Sequence, residues 1–183
     1  ELKKNWSTIF VSTGATYDDE IQKAAEVLRG VEFHLLHCVT IYPTPMQDVN
    51  LNRMNFLRRF TPNVGYSDHS KPAETKLWAS KLAMALGASV IERHFTILDS
   101  SETKDGPVSI NPDMLRELAE FNKLDRVDQM KQIKKEYPLW EESLGNMTRK
   151  LSHEELLNRD YYRGRFASKV DVGVVYNWEN VDF

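Results

Sequence analysis

Cysteine is almost absent from this 183-residue chain, which carries Cys38 alone. A single thiol cannot form an internal disulfide, so a disulfide-stabilised domain is excluded and a reducing, cytoplasmic setting is expected. The sequence also lacks any apolar run near the ~20 residues that a membrane-spanning helix needs. Neither sign of charge is in excess, because 24 Lys and Arg stand against 27 Asp and Glu. The sequence therefore predicts neither a nucleic-acid partner nor a membrane partner.

What the chain does contain is a repeated alternation of strand-like and helix-like segments. Four apolar, β-prone runs recur at intervals of ~25 to 30 residues, and segments with helical spacing follow them. The predicted strands are Ser7–Ser12, Phe33–Val39, Asn63–Asp68 and Ser89–Phe95. Four helices are predicted. The first begins at a capping-box-like Thr16/Asp19 pair, and the second carries Leu51 to Arg58. The third runs from Pro72 to Leu86, and the fourth begins at an Asn111 cap before Pro112. This order predicts an α/β fold with parallel strands and right-handed crossovers.

Two architectures accept four such units. One is an open, doubly wound sheet, and the other is half of an eight-stranded (β/α)8 barrel. A complete barrel needs ~250 residues, so a barrel made from this chain would lack half of its active-site rim. In both architectures, ligands bind at the carboxyl ends of the strands. The pattern by itself leaves the choice between them open.

Chemically capable side chains lie at the ends of the third and fourth predicted strands. Because side chains alternate between the two faces of a strand, Ser67 shares a face with His69, and Glu92 shares one with His94. If these strands are neighbours, the two histidines can bind one divalent cation, with Ser67 and Glu92 one pleat deeper. Two imidazoles without a third protein ligand leave positions for water and substrate, as in catalytic metal sites. The alternative is that each histidine only forms a hydrogen bond at its strand end.

Three further features allow both a functional and a structural interpretation. Cys38 has no basic or helix-capping neighbour in the sequence, which favours a buried structural thiol over a nucleophile. Tyr42 begins a Tyr-Pro-Thr-Pro segment, which is either a stiff turn or a place where the tyrosine contacts a substrate. The polar loop that runs from Asp99 to Gly106 is long, and long loops in compact domains are often functional.

Seven short motifs follow one another along the chain: Ser12-Thr13-Gly14, Leu35-Leu36-His37-Cys38, Tyr42-Pro43-Thr44-Pro45, Gly65-Tyr66-Ser67-Asp68-His69, Leu86-Gly87-Ala88, Glu92-Arg93-His94-Phe95-Thr96 and Gly106-Pro107. In this order and approximate spacing they resemble the sialic acid synthase family, which includes N-acetylneuraminate, legionaminate and pseudaminate synthases. The resemblance covers residues 7 to 125, and the co-occurrence of the motifs is specific where no single motif is. It implies the second half, strands five to eight, of that family's (β/α)8 barrel.

The resemblance implies an activity and its ligands. Members of the family condense phosphoenolpyruvate with an N-acyl amino sugar, such as N-acetylmannosamine or a bacterial analogue, to give a nine-carbon sialic-type acid and phosphate. A divalent metal ion, Mn or Mg, would be held by His69 and His94. The co-substrate phosphoenolpyruvate would be contacted by Ser12, Thr40 and Ser67.

The resemblance also assigns the catalytic and sugar-binding positions, with one departure. Glu92 would lie beside the reacting carbons as the catalytic residue, and Tyr42 would contact the sugar. Family members usually carry a sugar-binding acidic residue directly after Gly-Pro, where this chain has Val108. Asp105, on the other side of the turn, is the candidate that replaces it. The stretch Ser70–Lys76 adds about one helical turn between the two histidines.

Three segments are expected along the chain. Residues 1–130 form the half-barrel, 131–160 a linker with helical pieces, and 161–183 resemble the beginning of the family's antifreeze-like (SAF) domain. In the family this domain supplies an arginine to the sugar site of a partner subunit. The resemblance therefore implies a homodimer, with Arg163 or Arg165 as the candidate arginine.

A rival hypothesis makes the chain non-catalytic, a remnant half-barrel that binds a sugar or serves assembly. Val108 favours this rival, whereas the retained histidines and Glu92 favour an enzyme. The half-barrel alone is expected to be inactive, because four strands leave two sheet edges open and the lysine-bearing strands of the family are absent.

Overall fold

Repeated β-α units build most of the structure, a computed structural model that describes residues 1–165, 167–170 and 173–176. The strands are β1 (Thr8–Ser12), β2 (Glu32–Cys38), β3 (Val64–Asp68), β4 (Ile91–Arg93), β5 (Ala167–Val170) and β6 (Gly173–Tyr176). The helices are α1 (Leu2–Asn5), α2 (Asp18–Val27), α3 (Arg53–Leu57), α4 (Pro72–Thr75), α5 (Trp78–Ala85), α6 (Pro112–Asn122), α7 (Arg126–Glu136) and α8 (His153–Arg165). Short 3-10 helices lie at Met46–Asp48, Gly106–Val108 and Trp140–Ser143.

The first four strands form one parallel sheet in the order β1-β2-β3-β4. The predicted α/β fold with parallel strands is confirmed. A doubly wound sheet needs a point at which the strand order reverses, and this sequential order has none. The sheet is therefore consistent with part of a (β/α) barrel. Because β3 and β4 are neighbours, Ser67 lies directly opposite Glu92.

Helices cover one face of the sheet and bury its apolar side chains. The central strand β3 is buried along its whole length, and α5 packs against both β3 and α7. Burial of this kind contributes roughly 25 cal/mol per Å² of apolar surface, so the helix-covered face supplies most of the stabilising free energy. The largest fully buried apolar side chains are Ile21, Leu35, Leu36, Leu51, Met54, Leu57, Tyr66, Leu77, Leu82, Ile110 and Ile133.

Helix starts agree with the sequence in one place and differ in another. As predicted, Asn111 caps α6, since its side chain accepts a hydrogen bond from the Met114 N–H, with Pro112 in the first turn. The predicted start of α2 at Thr16 is wrong. The helix begins after Tyr17, whose backbone N–H donates to the Glu20 carboxylate at 2.8 Å.

The predicted single helix from Pro72 to Leu86 is also wrong, because the chain breaks it into α4 and α5. Lys76 and Leu77, between the two, both adopt left-handed backbone conformations, with φ of 49° and 64°. This conformation is uncommon for residues other than glycine and asparagine, so the residue types gave no warning of the break. The short α4 accounts for the extra turn noted between the two histidines.

The fourth strand is shorter than predicted, because β4 ends at Arg93. Beyond it, Phe95 pairs with Ile110 in an isolated parallel bridge. The Ile110 N–H donates to the His94 carbonyl at 2.8 Å, and the Thr96 N–H donates to the Ile110 carbonyl at 3.0 Å. These bonds close the base of the loop formed by residues 96–109.

The segment after the sheet contains α7, a 3-10 turn and α8, followed by the antiparallel pair β5 and β6. The expected SAF-like segment, residues 161–183, lies partly outside the described residues, as do the side chains of Arg163 and Arg165. Among the helices that are described, none combines the length and the apolar character needed to cross a membrane.

Candidate active site

A pocket of about 710 Å³ opens at the carboxyl ends of β1 to β4. It brings together seven of the eight side chains singled out from the sequence, namely Ser12, Thr40, Tyr42, Ser67, His69, Glu92 and His94. The eighth, Asp105, does not line this pocket but lies beside His94. Three more lining residues with charged or phenolic side chains, Glu20, Arg159 and Tyr162, were not anticipated.

His69 and His94 converge in this pocket, with ring centroids 5.2 Å apart. A polar atom lies near the Nδ1 atom of each ring: Cys38 Sγ is 3.7 Å from that of His69, and Asp105 Oδ2 is 3.8 Å from that of His94. The first is a hydrogen-bond contact, and the second is too long for a direct hydrogen bond. The Nε2 atoms are the ring nitrogens that these neighbours leave for a ligand.

The electrostatic setting of His69 favours its neutral form. Burial, and secondarily the nearby His94, lower the pKa of His69 to about 4. A neutral imidazole keeps its lone pair at pH 7, which is the state that binds a metal ion. Among the described residues, no group of three or more His, Cys, Asp or Glu is arranged to hold a metal ion. Any metal here would accordingly rest on two histidines and on ligands from water or substrate.

Glu92 lies one pleat below His94 and is held by its neighbour on β3. Its Oε1 atom accepts a hydrogen bond from Ser67 Oγ at 2.6 Å. The carboxylate is otherwise open to the pocket, and a carboxylate in this position can accept a proton from a bound ligand or donate one to it.

Tyr42 stands over the histidine pair. Its ring centroid lies 4.2 Å from that of His69 and 6.4 Å from that of His94. Burial raises the pKa of Tyr42 well above its usual value, so the hydroxyl stays protonated and can donate a hydrogen bond. With 46% of its surface exposed, the residue is also available to a ligand.

Comparison with known proteins identifies the family. Residues 1–136 match the NeuB family. The chain belongs to this family. The resemblance to sialic acid synthases is thereby confirmed.

NeuB relatives match most of this chain. An N,N'-diacetyllegionaminic acid synthase of Campylobacter jejuni is 34% identical over 90% of the chain and 45% of its own length. The solved spore coat polysaccharide biosynthesis protein SpsE of Bacillus subtilis matches at 28% identity and a TM-score of 0.65, over 87% of this chain and 43% of that one. A sialic acid synthetase of Leptospira borgpetersenii matches at 30% identity and a TM-score of 0.53, over 83% and 48%. The chain thus spans less than half the length of each of these relatives.

In this NeuB chain, Cys38 is a buried side chain of the pocket floor rather than a nucleophile. Burial raises the pKa of its thiol to about 11, although hydrogen bonds to Ser12 and Ser67 act in the opposite direction. The thiol is therefore neutral at pH 7, whereas the nucleophilic form is the thiolate.

The turn around Gly106-Pro107 places Asp105 close to the pocket and the side chain of Val108 away from it. Asp105 Oδ2 lies 3.8 Å from His94 Nδ1. Val108 is buried, with 3% of its surface exposed, and its carbonyl accepts a hydrogen bond from Arg93 Nη2 at 3.3 Å. The side chain at position 108 thus belongs to the interior, and Asp105 is the acidic residue beside His94.

The three unanticipated residues come from two helices that flank the opening. Glu20 belongs to α2, and Arg159 and Tyr162 belong to α8, three residues apart on the same helical face. Glu20 and Arg159 form an ion pair across 139 residues of chain. No local pattern in the sequence signals such a contact.

Proposed function

We propose that this chain carries strands five to eight of a sialic-acid-type synthase barrel. The reaction joins phosphoenolpyruvate to an N-acyl amino sugar, such as N-acetylmannosamine or a bacterial analogue, and gives a nine-carbon sugar acid with release of phosphate. Membership of the NeuB family and the names of the relatives support synthesis of this class of sugar acid.

The observation that carries the proposal is the convergence of two imidazoles beside a carboxylate. His69 and His94 come from adjacent parallel strands, their rings are 5.2 Å apart, and Glu92 lies one pleat below. The alternative, in which each histidine only forms a hydrogen bond at its strand end, does not explain why both rings meet beside a hydrogen-bonded carboxylate.

These residues fit a divalent ion such as Mn or Mg. His69 and His94 would hold it through Nε2, because a polar atom lies near each Nδ1. Such an ion, when bound, supplies Lewis acidity toward the sugar aldehyde. Two protein ligands leave room for substrate oxygens, as a catalytic site requires.

The side chains of the chain itself divide the remaining work. Ser12, Thr40 and Ser67 line the proposed phosphoenolpyruvate site. Ser12 and Thr40 can donate their hydroxyl groups to it, and hydrogen bonds to an anion are stronger than those between neutral groups, whereas the single O–H of Ser67 is donated to Glu92. Glu92, fixed by Ser67, holds or moves a proton beside the reacting carbons.

The acceptor sugar has its own proposed contacts. Tyr42 presents a protonated hydroxyl and an exposed ring edge, and Asp105 supplies an acceptor beside His94. We further propose a homodimer in which an SAF-like segment reaches the partner subunit, with Arg163 or Arg165 as its contact. Light scattering after size exclusion tests this part separately.

Calorimetric titration with Mn tests the metal site. His69→Ala and His94→Ala should each weaken binding by more than the ~10- to 100-fold typical of losing an outer-shell partner. His153→Ala is the matched control, because His153 is exposed on α8 and lies outside the pocket. Undiminished binding in His69→Ala would count decisively against the proposal.

Phosphate release from phosphoenolpyruvate, assayed with several N-acyl amino sugars on the full-length gene product, tests the chemistry. Glu92→Gln should lower the rate by about 10²- to 10⁴-fold, the usual range for a positioned acid or base, with Mn binding unchanged. Glu32→Gln, at an exposed carboxylate outside the pocket, should keep the parental rate. Sugar binding without phosphate release would favour the non-catalytic alternative.

A further inference from the structure

Helix α8 lies against the rim of the pocket and is anchored there by Arg159. The guanidinium donates to both carboxylate oxygens of Glu20, at 2.5 and 3.0 Å, and to the Ala15 carbonyl at 2.8 Å. It also stacks over the Tyr17 ring, with 4.4 Å from Cζ to the centroid. This set of contacts ties α8 to the chain that follows β1.

A second set of contacts joins α8 to Thr40, just beyond the end of β2. The Asn158 side-chain amide donates to the Thr40 carbonyl. On the other side of the same residue, the Thr40 backbone N–H lies close enough to the Glu155 carboxylate to lower the pKa of that carboxyl. Two side chains one turn apart on α8 therefore meet the backbone of Thr40, Asn158 at its carbonyl and Glu155 near its N–H.

Glu155 is itself firmly placed for this role. Its two carboxylate oxygens accept hydrogen bonds from Arg149 at 2.6 and 2.7 Å, and the residue is fully buried. Burial alone would raise the pKa of Glu155, but the Arg149 and backbone hydrogen bonds outweigh it and lower the pKa. The carboxylate thus stays charged beside the Thr40 N–H.

The side chain of Thr40, in contrast with its backbone, has no partner for its hydroxyl. Thr40 is 9% exposed and lines the pocket, and its Oγ1 atom forms no hydrogen bond with any described residue. Its methyl group is accounted for, because it packs so closely on Gly14 that a Cβ there would lie 2.6 Å from it. A buried hydroxyl is costly to leave without a hydrogen bond, so the Thr40 hydroxyl is available to a ligand that enters the pocket.

We propose that α8 is a working part of the site, and that Asn158 and Glu155 are positioning residues that hold the Thr40 hydroxyl toward the anionic co-substrate. This inference rests on the proposed function, which makes phosphoenolpyruvate that ligand. The helix after the half-barrel then controls affinity for the co-substrate without touching it.

Binding of phosphoenolpyruvate to the Mn-loaded, full-length gene product tests the inference by calorimetry. Thr40→Val should weaken binding about tenfold, the value of one hydrogen bond to a charged group. Asn158→Ala should weaken it by a similar factor, and Asn158→Asp, which keeps the shape and removes the donor, should do the same. Affinity for Mn should stay unchanged in all three, which a general loss of structure would not allow.

A double-mutant cycle separates positioning from an independent effect. In the Thr40→Val background, Asn158→Ala should cost nothing further, because the hydroxyl that it positions is gone. Asn52→Ala is the matched control, since Asn52 also ties a distant carbonyl, that of Gly145 at 3.0 Å, but lies outside the pocket.

The possible results distinguish the inference from the function on which it rests. If Thr40→Val weakens binding but the Asn158 variants bind like the parent, or if the two effects add, the positioning role is overturned and the proposed function stands. If the parent itself does not bind phosphoenolpyruvate, both are overturned.

Discussion

Asp68 and Arg93 form a buried ion pair in which each partner directly precedes one of the two pocket histidines. Asp68 Oδ2 lies 2.6 Å from Arg93 Nη1, and the two side chains are 0% and 3% exposed. Because neighbouring residues on a strand point to opposite faces, this pair joins the strand ends from the side of the helices. It therefore fixes the distance between His69 and His94 from outside the pocket.

The ion pair is the centre of a larger network. Asp68 also accepts hydrogen bonds from Ser80 Oγ at 2.5 Å and from the Ser70 N–H at 2.8 Å. Arg93 Nη2 donates to the carbonyls of Ser70 and Val108, at 3.1 and 3.3 Å. A charge that loses its partner in such surroundings stays buried without compensation.

Arg93→Met should therefore lower the free energy of unfolding by about 3–5 kcal/mol, the usual cost of breaking a buried pair from one side. Urea unfolding followed by circular dichroism measures it. The double variant Asp68→Asn with Arg93→Met should recover part of the loss, because no charge is left unpaired. Lys23→Met, at the exposed pair with Asp19, should leave the midpoint unchanged, and an equal effect at both pairs would contradict the argument.

Burial of His37 is expected to make the stability of the protein depend on pH. Burial, opposed by the hydrogen bond to the Val49 carbonyl at 2.7 Å, lowers the pKa of His37 to about 4. Between pH 6.5 and 4 the unfolded chain binds a proton at this histidine and the folded chain does not, so stability falls as the pH falls through that window. The contribution of His37 is on the order of 3 kcal/mol.

Equilibrium unfolding at a series of pH values between 4 and 7.5 measures this slope. His37→Gln should make it shallower and leave the part contributed by His69, whose pKa is also lowered to about 4. His153→Gln, at an exposed histidine, is the control and should keep the parental slope. A parental slope in His37→Gln would assign the pH dependence to other groups.

The thiol of Cys38, at the floor of the pocket, is expected to be unreactive. With its pKa raised to about 11 from a model-compound value of 9.0, the thiolate fraction at pH 8 falls about 100-fold. Alkylation by iodoacetamide, followed by mass spectrometry, should be slower than that of a free thiol by at least this factor. In urea the rate should return to normal, and rapid alkylation of the folded protein would refute the structural assignment of this thiol.

Much of the pocket can be predicted from the sequence, because it depends on regularities between residues that are close together in the chain. The alternation of side chains along a strand requires only two residues of spacing, so Ser67 with His69 and Glu92 with His94 follow from the sequence once the strands are located. The parallel order follows from the spacing of the units in the same way. The sequence does not indicate the ion pair between Asp68 and Arg93, because these two side chains point away from the pocket.

Long-range contacts and unusual backbone conformations explain what was missed. Asn158 reaches Thr40 across 118 residues, a separation at which residue patterns carry no information about contact. Lys76 and Leu77 are ordinary side chains in left-handed conformations, so nothing in their identity separates α4 from α5. The side chain at position 108 is buried by tertiary packing, which its place after Gly-Pro did not reveal.

The bridge between Phe95 and Ile110 bears on how the loop between these residues can diverge in sequence among relatives. Since the hydrogen bonds at its base fasten both stems, the loop between them can be lengthened, shortened or exchanged while His94 beneath it stays in place. If Asp105 contacts the acceptor sugar as proposed, a swap of residues 96–109 between relatives should change the sugar preference, because Asp105 lies inside the exchanged segment and His94 outside it.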